Sequence, residues 1–222
     1  MTKKSLFLLL LSTSLFAQPA CNTKKQVELG TVIILNGPSA VGKSSIIRAL
    51  QAQRKEPWLS VGIDNLFVGV LPPKFYLEDK TEHHTIMRGE ATKDAQGKLF
   101  TLYFGDEGRK VIKGMHGAIA AYARAGNNVI VDYIMYEPEW LDDLKKSLQG
   151  LRVISVGVTA PLEVIAQREI LRKTSPEGHA RSLYESVHQG WTYDLKIDTG
   201  SITPEQAADK IVDHLEGRNM NV

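Results

Sequence analysis

The chain has 222 residues, 43% of them hydrophobic and 23% charged, which is enough apolar material for one globular domain with a sizeable core. Its formal net charge is +2. Lys3 and Lys4, in an acid-free amino end, account for that charge, so the remainder is neutral and has no basic field suited to nucleic acid. A single cysteine, Cys21, excludes an intrachain disulfide.

Lys3 and Lys4 precede a run from Leu6 to Ala17 that holds only apolar residues, Ser and Thr. This is the pattern of a secretory leader, and it is too short for a membrane span. Cleavage fits after Ala17 or Ala20, and lipidation of Cys21 is the other possibility. Gln18-Pro19-Ala20 is a poor lipobox, because Gln18 sits where a small aliphatic residue is usual. Residues 1–21 are therefore read as a signal peptide or lipoprotein leader and 22–29 as a linker. Residues 30–217 are read as one folded domain. Export to the periplasm or medium, or lipid anchoring, is the expectation; a cytoplasmic protein with an uncleaved leader is the alternative. No other segment is apolar enough to span a membrane.

Within the domain, 31–36 (TVIILN) is a continuous apolar run, the signature of a strand buried on both faces. Helical spacing follows over 44–53, and a second strand over 58–63 ends at Asp64. Pro72-Pro73 breaks the chain, and the polar stretch from Lys80 to Lys98 reads as a loop or insertion. A helix is predicted over 107–125, stopped by Gly126-Asn127, then a strand over 128–131 ending at Asp132. Helices over 138–148, 161–173 and 180–188 alternate with strands over 151–158 and 193–197. A last helix, 203–216, opens on a Thr203/Gln206 capping box. This alternation predicts an α/β fold with a mostly parallel five-stranded sheet covered on both sides, and ligands at the carboxyl ends of its strands.

Three of those strand ends carry chemistry. Gly37-Pro38-Ser39-Ala40-Val41-Gly42-Lys43-Ser44 matches G-x-x-x-x-G-K-[ST] between a buried strand and a helix, the required context for a phosphate loop. Its backbone amides and Ser45 at the helix start are expected to cradle phosphates. Lys43 is expected to reach the β and γ phosphates of ATP, and Ser44 to bind Mg²⁺. Asp132 is a second Mg²⁺ ligand in the manner of a Walker-B aspartate; an ordinary strand-end or capping aspartate is the plainer reading. Asp64 would orient an acceptor hydroxyl and take its proton, against the plainer reading of a helix cap. Arg168 and Arg172 share a helix face, with Lys173 and Arg181 flanking the 174–178 loop. Such a cluster can close over ATP, Arg168 binding it and Arg172 neutralising transition-state charge; a solvated face paired to Glu163 and Glu169 is the alternative. The six histidines, His83, His84, His116, His179, His188 and His214, show no metal-ligand spacing. Phe67, Phe75, Tyr76 and Tyr103 line either an acceptor pocket or the core.

Several stretches together resemble the chloramphenicol phosphotransferase family: ILNGPSAVGKSSI at 34–46, PWLSVGIDNL at 57–66, AAYARAGNNVIVD at 120–132, VHQGWTYDLKIDT at 187–199 and TPEQAA at 203–208. The resemblance spans roughly 30–216. It implies a P-loop NTPase fold, a nucleotide-kinase-like three-layer sandwich, and ATP-dependent phosphorylation of a hydroxyl. It matches Asp64 to the family's proposed catalytic base and implies phosphate binding by Gly42, Lys43 and Ser44. Two departures stand out. Asp132-Tyr133 replaces the family's Asp-Asp, and Arg172-Lys173-Thr174-Ser175 replaces Arg-Gly-Asp-Arg, losing the second lid arginine. The expected function is transfer of the γ-phosphate of ATP to a hydroxyl of a small molecule, chloramphenicol-like or otherwise. The alternatives are a non-catalytic nucleotide-binding module, or an exported kinase acting on a nucleotide, sugar or protein.

Overall fold

The computed structural model describes residues 28–75 and 86–217. The predicted leader, most of the linker, Tyr76, His83 and His84 lie outside those residues. In chain order the elements are β1 (Thr31–Asn36), α1 (Lys43–Gln53), β2 (Trp58–Gly62), α2 (Ile63–Leu66), β3 (Met87–Asp94) and β4 (Gly97–Phe104). They continue with α3 (Asp106–Arg124), β5 (Asn128–Tyr133), α4 (Glu139–Ser147), β6 (Arg152–Thr159), α5 (Leu162–Arg172), α6 (His179–Leu183), β7 (Leu195–Asp198) and α7 (Pro204–Leu215).

Five strands form one parallel sheet in the order β2-β5-β1-β6-β7. The central strand β1 explains its own composition. Ile33 and Leu35 pack with Ile46, Leu50, Ile165 and Ile211 on one face, toward α1, α5 and α7. Val32 and Ile34 pack with Ile112, Met115, Ile119 and Leu144 on the other, toward α3 and α4. Both sides of β1 are therefore dry, and an unbroken apolar run is what such a strand needs. Thr203 caps α7 as its spacing predicted, accepting from the Gln206 amide while the Gln206 side chain accepts from the Thr203 amide.

Three expectations need correction. The stretch from Lys80 to Lys98, expected to be a loop or insertion, holds β3 and the first residues of β4, which pair as an antiparallel hairpin of their own. β3 is polar because neither of its faces is fully covered, and β4, though richer in apolar residues, is only partly buried, so the buried-strand pattern is missing from the hairpin. The Asp94 carboxylate closes its turn, accepting from the amides of Gln96 and Gly97. The helix predicted over 180–188 ends at Leu183. The Val187 carbonyl is taken by the Asn36 side chain instead. Strand β2 stops at Gly62, so Asp64 lies in the first turn of α2; the Asn65 side chain accepts from the Gly62 amide and closes that turn.

Tyr133 and Asp132, adjacent on β5, point to opposite faces. Tyr133 is fully buried toward α3 and α4, where its hydroxyl lies 2.9 Å from Nε2 of His116; His116 Nδ1 lies 2.7 Å from Asp143. This chain joins β5, α3 and α4. Replacing His116 with leucine fills the volume but strands two polar groups, and should cost about 2–4 kcal/mol of unfolding free energy by urea denaturation.

Candidate active site at the carboxyl edge of the sheet

The phosphate loop leaves β1 and enters α1. A Cβ on Gly37 would stand 2.3 Å from the Val158 carbonyl oxygen, and Gly42 adopts φ 106°, so both positions demand glycine. Ala40 is also left-handed, at φ 58°. Alternating right- and left-handed residues turn successive amides to one side, the geometry of an anion cradle. The loop is pinned from outside. Thr199, just past β7, donates its hydroxyl to the Val41 carbonyl at 2.6 Å. Arg168 of α5 donates to the Thr199 hydroxyl at 3.0 Å and carbonyl at 2.8 Å.

Lys43 lies 5% exposed beneath the loop. Its ammonium donates to the carbonyls of Gly37 at 2.7 Å and Pro38 at 2.9 Å, and sits 3.5 Å from the Asp132 carboxylate. Burial lowers its pKa from the usual lysine value, and the charges of Asp132 and Asp64 oppose that shift. Ser44 donates its hydroxyl to the other oxygen of Asp132 at 2.9 Å. The β1–β5 register, which sets Leu35 beside Asp132, brings these groups together. Two hard oxygen ligands side by side suit Mg²⁺, which keeps several waters and takes further ligands from phosphate. Because Tyr133 faces away, the departure at that position leaves this pair intact.

Asp64 joins the same place. A small cavity of about 70 Å³ is lined by the 40–44 segment of the loop, Ile63, Asp64, Asp132, Ile134 and Arg172. On the outer side of the loop a cleft of about 510 Å³ runs past Ala40, Gly42, Ser45, Arg168, Leu171, Arg172, Thr199, Ile202 and Pro204. Arg172, at the end of α5, borders both spaces. Arg168 walls the outer cleft while bracing the loop. Ser39 faces the lid, its hydroxyl 3.3 Å from that of Ser175.

The lid cluster is smaller than its sequence suggested. Arg181 does not reach the phosphate loop: it pairs with Asp94 and donates to Gln96 of the hairpin. Lys173 takes a left-handed conformation at the end of α5. Ser175, where the family carries its second lid arginine, brings only a hydroxyl to the loop. Glu169, read as a surface partner for arginines, is instead 4% exposed and accepts from the amides of Gly178 at 2.7 Å and Ala180 at 2.8 Å. It clamps the lid loop onto α5. Of the candidate aromatics, Phe67 is core, and Tyr103 lies 40% exposed on the hairpin under the Arg88 guanidinium.

Sequence reasoning did not assign roles to Asn36, Thr199 or the pair Tyr136 and His179. Asn36 is fully buried, donating to the Val187 carbonyl and the Tyr193 hydroxyl and accepting from the Met135 amide. A polar residue closing an apolar strand was its signal. The others act across long sequence separations, where local pattern carries no signal.

The chain matches the family described as chloramphenicol phosphotransferase-like protein over residues 30–216. It belongs to that family. Two curated relatives, from two strains of Mycobacterium tuberculosis and named "Putative O-phosphotransferase", are each 34% identical over 173 residues, covering 77% of this chain and 75% of theirs. Among solved structures, the M. tuberculosis APS kinase CysC, in complex with AMPPNP and APS, aligns with TM-score 0.58 at 18% identity, over 85% of this chain and 98% of that one. A gluconokinase from Sinorhizobium meliloti aligns at 0.56 and 16% identity, covering 85% and 92%. The shikimate kinase of Acinetobacter baumannii aligns at 0.51 and 15%, covering 88% and 97%. The fold is that of P-loop kinases, and the chain is a phosphotransferase of the kinase class that acts on a hydroxyl.

Two outcomes follow from the geometry. In Glu169→Ala the Gly178 and Ala180 amides should exchange with deuterium roughly tenfold faster or more, since each loses a charge-assisted hydrogen bond. Burial also lowers the pKa of His116 and His188, and burial with the charge of Lys43 brings that of His179 to about 4, all below the ordinary 6.5. Below pH 6.5 the unfolded chain takes up protons that the folded one refuses, so stability falls as pH falls toward 4. The His179 contribution should reach about 2 kcal/mol by pH 5. Denaturation curves at pH 7 and pH 5 measure the difference, and His179→Phe should shrink it.

Proposed function

We propose that this protein transfers the γ-phosphate of ATP to a hydroxyl of a small molecule, with Asp64 as the general base. The observation that carries this reading is the shared cavity: Asp64, Lys43, Ser44, Asp132 and Arg172 all face one small space at the end of the phosphate loop. A base, a phosphate-binding cation and a pair of cation ligands around one point suit phosphoryl transfer, which depends on positioning and charge stabilisation.

The loop amides from Gly37 to Ser45 and the Lys43 ammonium hold the phosphates, and the nucleoside lies in the outer cleft against Arg168, Ile202 and Pro204. Ser44 and Asp132 would hold Mg²⁺, which when bound neutralises phosphate charge. The acceptor oxygen attacks the γ-phosphorus while Asp64 takes its proton, and the bond to the β-phosphate bridging oxygen breaks to release ADP. Arg172 faces the charge that develops in transfer. Chloramphenicol and other small hydroxylated compounds are the acceptors to assay. The leader-like residues 1–21 support export, which the intact mass of the native protein checks.

Lys43→Ala should abolish ATP turnover. Asp64→Asn should lower kcat by roughly 10²–10⁴ while leaving ATP affinity within about twofold, read by phosphate-transfer assay and calorimetry. Wild-type transfer rates in Asp64→Asn would remove the base from the mechanism. Chelation of divalent cations should stop transfer, and Asp132→Asn should raise the Mg²⁺ concentration needed for half-maximal rate. Tight ATP binding with no transfer to any acceptor would make the protein a nucleotide-binding module instead.

A further inference from the structure

Thr199 follows β7 and is buried against the outside of the phosphate loop. Its side chain backs Gly42: a Cβ added to that glycine would stand 3.7 Å from Thr199 Cγ2 and Oγ1. Packing accounts for the methyl group. It does not account for the hydroxyl, which a valine methyl would replace at nearly equal volume. The hydroxyl carries one hydrogen and has two carbonyls in reach, that of Val41 at 2.6 Å and that of Thr159 at 3.3 Å. The shorter distance assigns the hydrogen to Val41. Arg168 holds Thr199 in this pose from two sides, Nη1 donating to the hydroxyl oxygen at 3.0 Å and Nη2 to the Thr199 carbonyl at 2.8 Å.

What the hydrogen bond to Val41 fixes is a peptide plane. The 41–42 peptide is trans, so the Val41 carbonyl and the Gly42 N–H point in opposite directions. Holding the carbonyl against Thr199 therefore aims the Gly42 N–H to the other side of the loop, where Val41, Gly42 and Lys43 line the small cavity beside Asp64. Among the described residues that amide meets no acceptor. Gly42 sits at φ 106°, and a glycine resists rotation of this plane less than any other residue would. The restraint on the plane thus comes from outside the loop, from Thr199 and the arginine behind it.

We propose that Thr199 is a positioning residue for phosphate binding: through the Val41 carbonyl it holds the Gly42 amide toward a phosphate oxygen of the bound nucleotide. This rests on the reading above that the loop holds nucleotide phosphates. The Thr199 hydroxyl is engaged by Val41 and Arg168, so it acts through the loop backbone and not on the phosphate itself. Arg168, in turn, supports phosphate binding by orienting Thr199.

The test uses the full chain and calorimetry with Mg-ADP and with adenosine, which offers the outer cleft a nucleoside without phosphates. Thr199→Val keeps the volume and removes the hydroxyl. Its Kd for Mg-ADP should rise about tenfold or more, the loss expected for one hydrogen bond to a charged group, while its Kd for adenosine stays within about twofold. Thr199→Ser removes the methyl but restores the hydroxyl, and should recover most of the loss. In wild type the NMR signal of the Gly42 amide proton should move downfield when Mg-ADP binds, and in Thr199→Val that movement should shrink. The wild-type measurement carries the test if the valine variant does not fold. An unchanged Kd for Mg-ADP in Thr199→Val, a serine variant as weak as the valine one, an equal loss for adenosine, or a wild-type Gly42 amide that Mg-ADP leaves unmoved would each overturn the proposal while leaving nucleotide binding standing. Failure of wild type to bind Mg-ADP at all would sink the proposal together with the reading beneath it.

Discussion

A buried ammonium needs partners, and the active edge of this protein is organised around the one that Lys43 carries. Taking that charge out of water is costly, and two loop carbonyls and the Asp132 carboxylate offset the loss. The two carbonyls belong to Gly37 and Pro38, so the lysine closes the loop on itself. The carboxylate comes from the next strand, so the β1–β5 register becomes a condition for stability as well as for chemistry. On the proposed mechanism, an arriving phosphate would supply stronger partners for the same ammonium, and the partners that hold Lys43 without ligand would mark where that ligand goes.

The other devices keep that centre in place. Thr199 and Arg168 hold the outside of the phosphate loop, so its left-handed residues do not relax. Asn36 joins β1 to the segments after β5 and before β7 just below the loop. Glu169 buries a carboxylate to anchor the lid, and this anchoring is compatible with loss of the second lid arginine: the loop is held from behind by hydrogen bonds to its amides. The β3–β4 hairpin takes Arg181 out of the phosphate site and binds it through Asp94, leaving Arg172 as the lid arginine that borders both cavities.

Much of this architecture was legible in the residues. The apolar run at 31–36 and the glycine-lysine-serine pattern after it located the central strand and the phosphate loop, because burial on both faces and close phosphate approach each leave a local signature. Asp64 and Asp132 were found by their place after strands. The hairpin was not found, since β3 and β4 pair only with each other and stay partly wet, so they lack the pattern that buried strands show. Arg181 was assigned to the wrong partner because spacing cannot tell which of two nearby anions an arginine meets. Glu169 was taken for a surface charge because an isolated glutamate on a helix usually is one.

What the sequence determined by itself was the alternation of the sheet's strands with helices, the parallel sheet, the phosphate loop and the places of Asp64 and Asp132 close to strand ends. Each depends on residues adjacent in the chain or on periodicity along one element. What tertiary structure decided was who faces whom: Tyr133 turned from the catalytic edge toward His116, Ser44 set on Asp132, Ser175 on Ser39, and His179 left with a free nitrogen beside Tyr136. Those contacts join residues tens of positions apart, and only the packing of helices on both faces of the sheet fixes such distances.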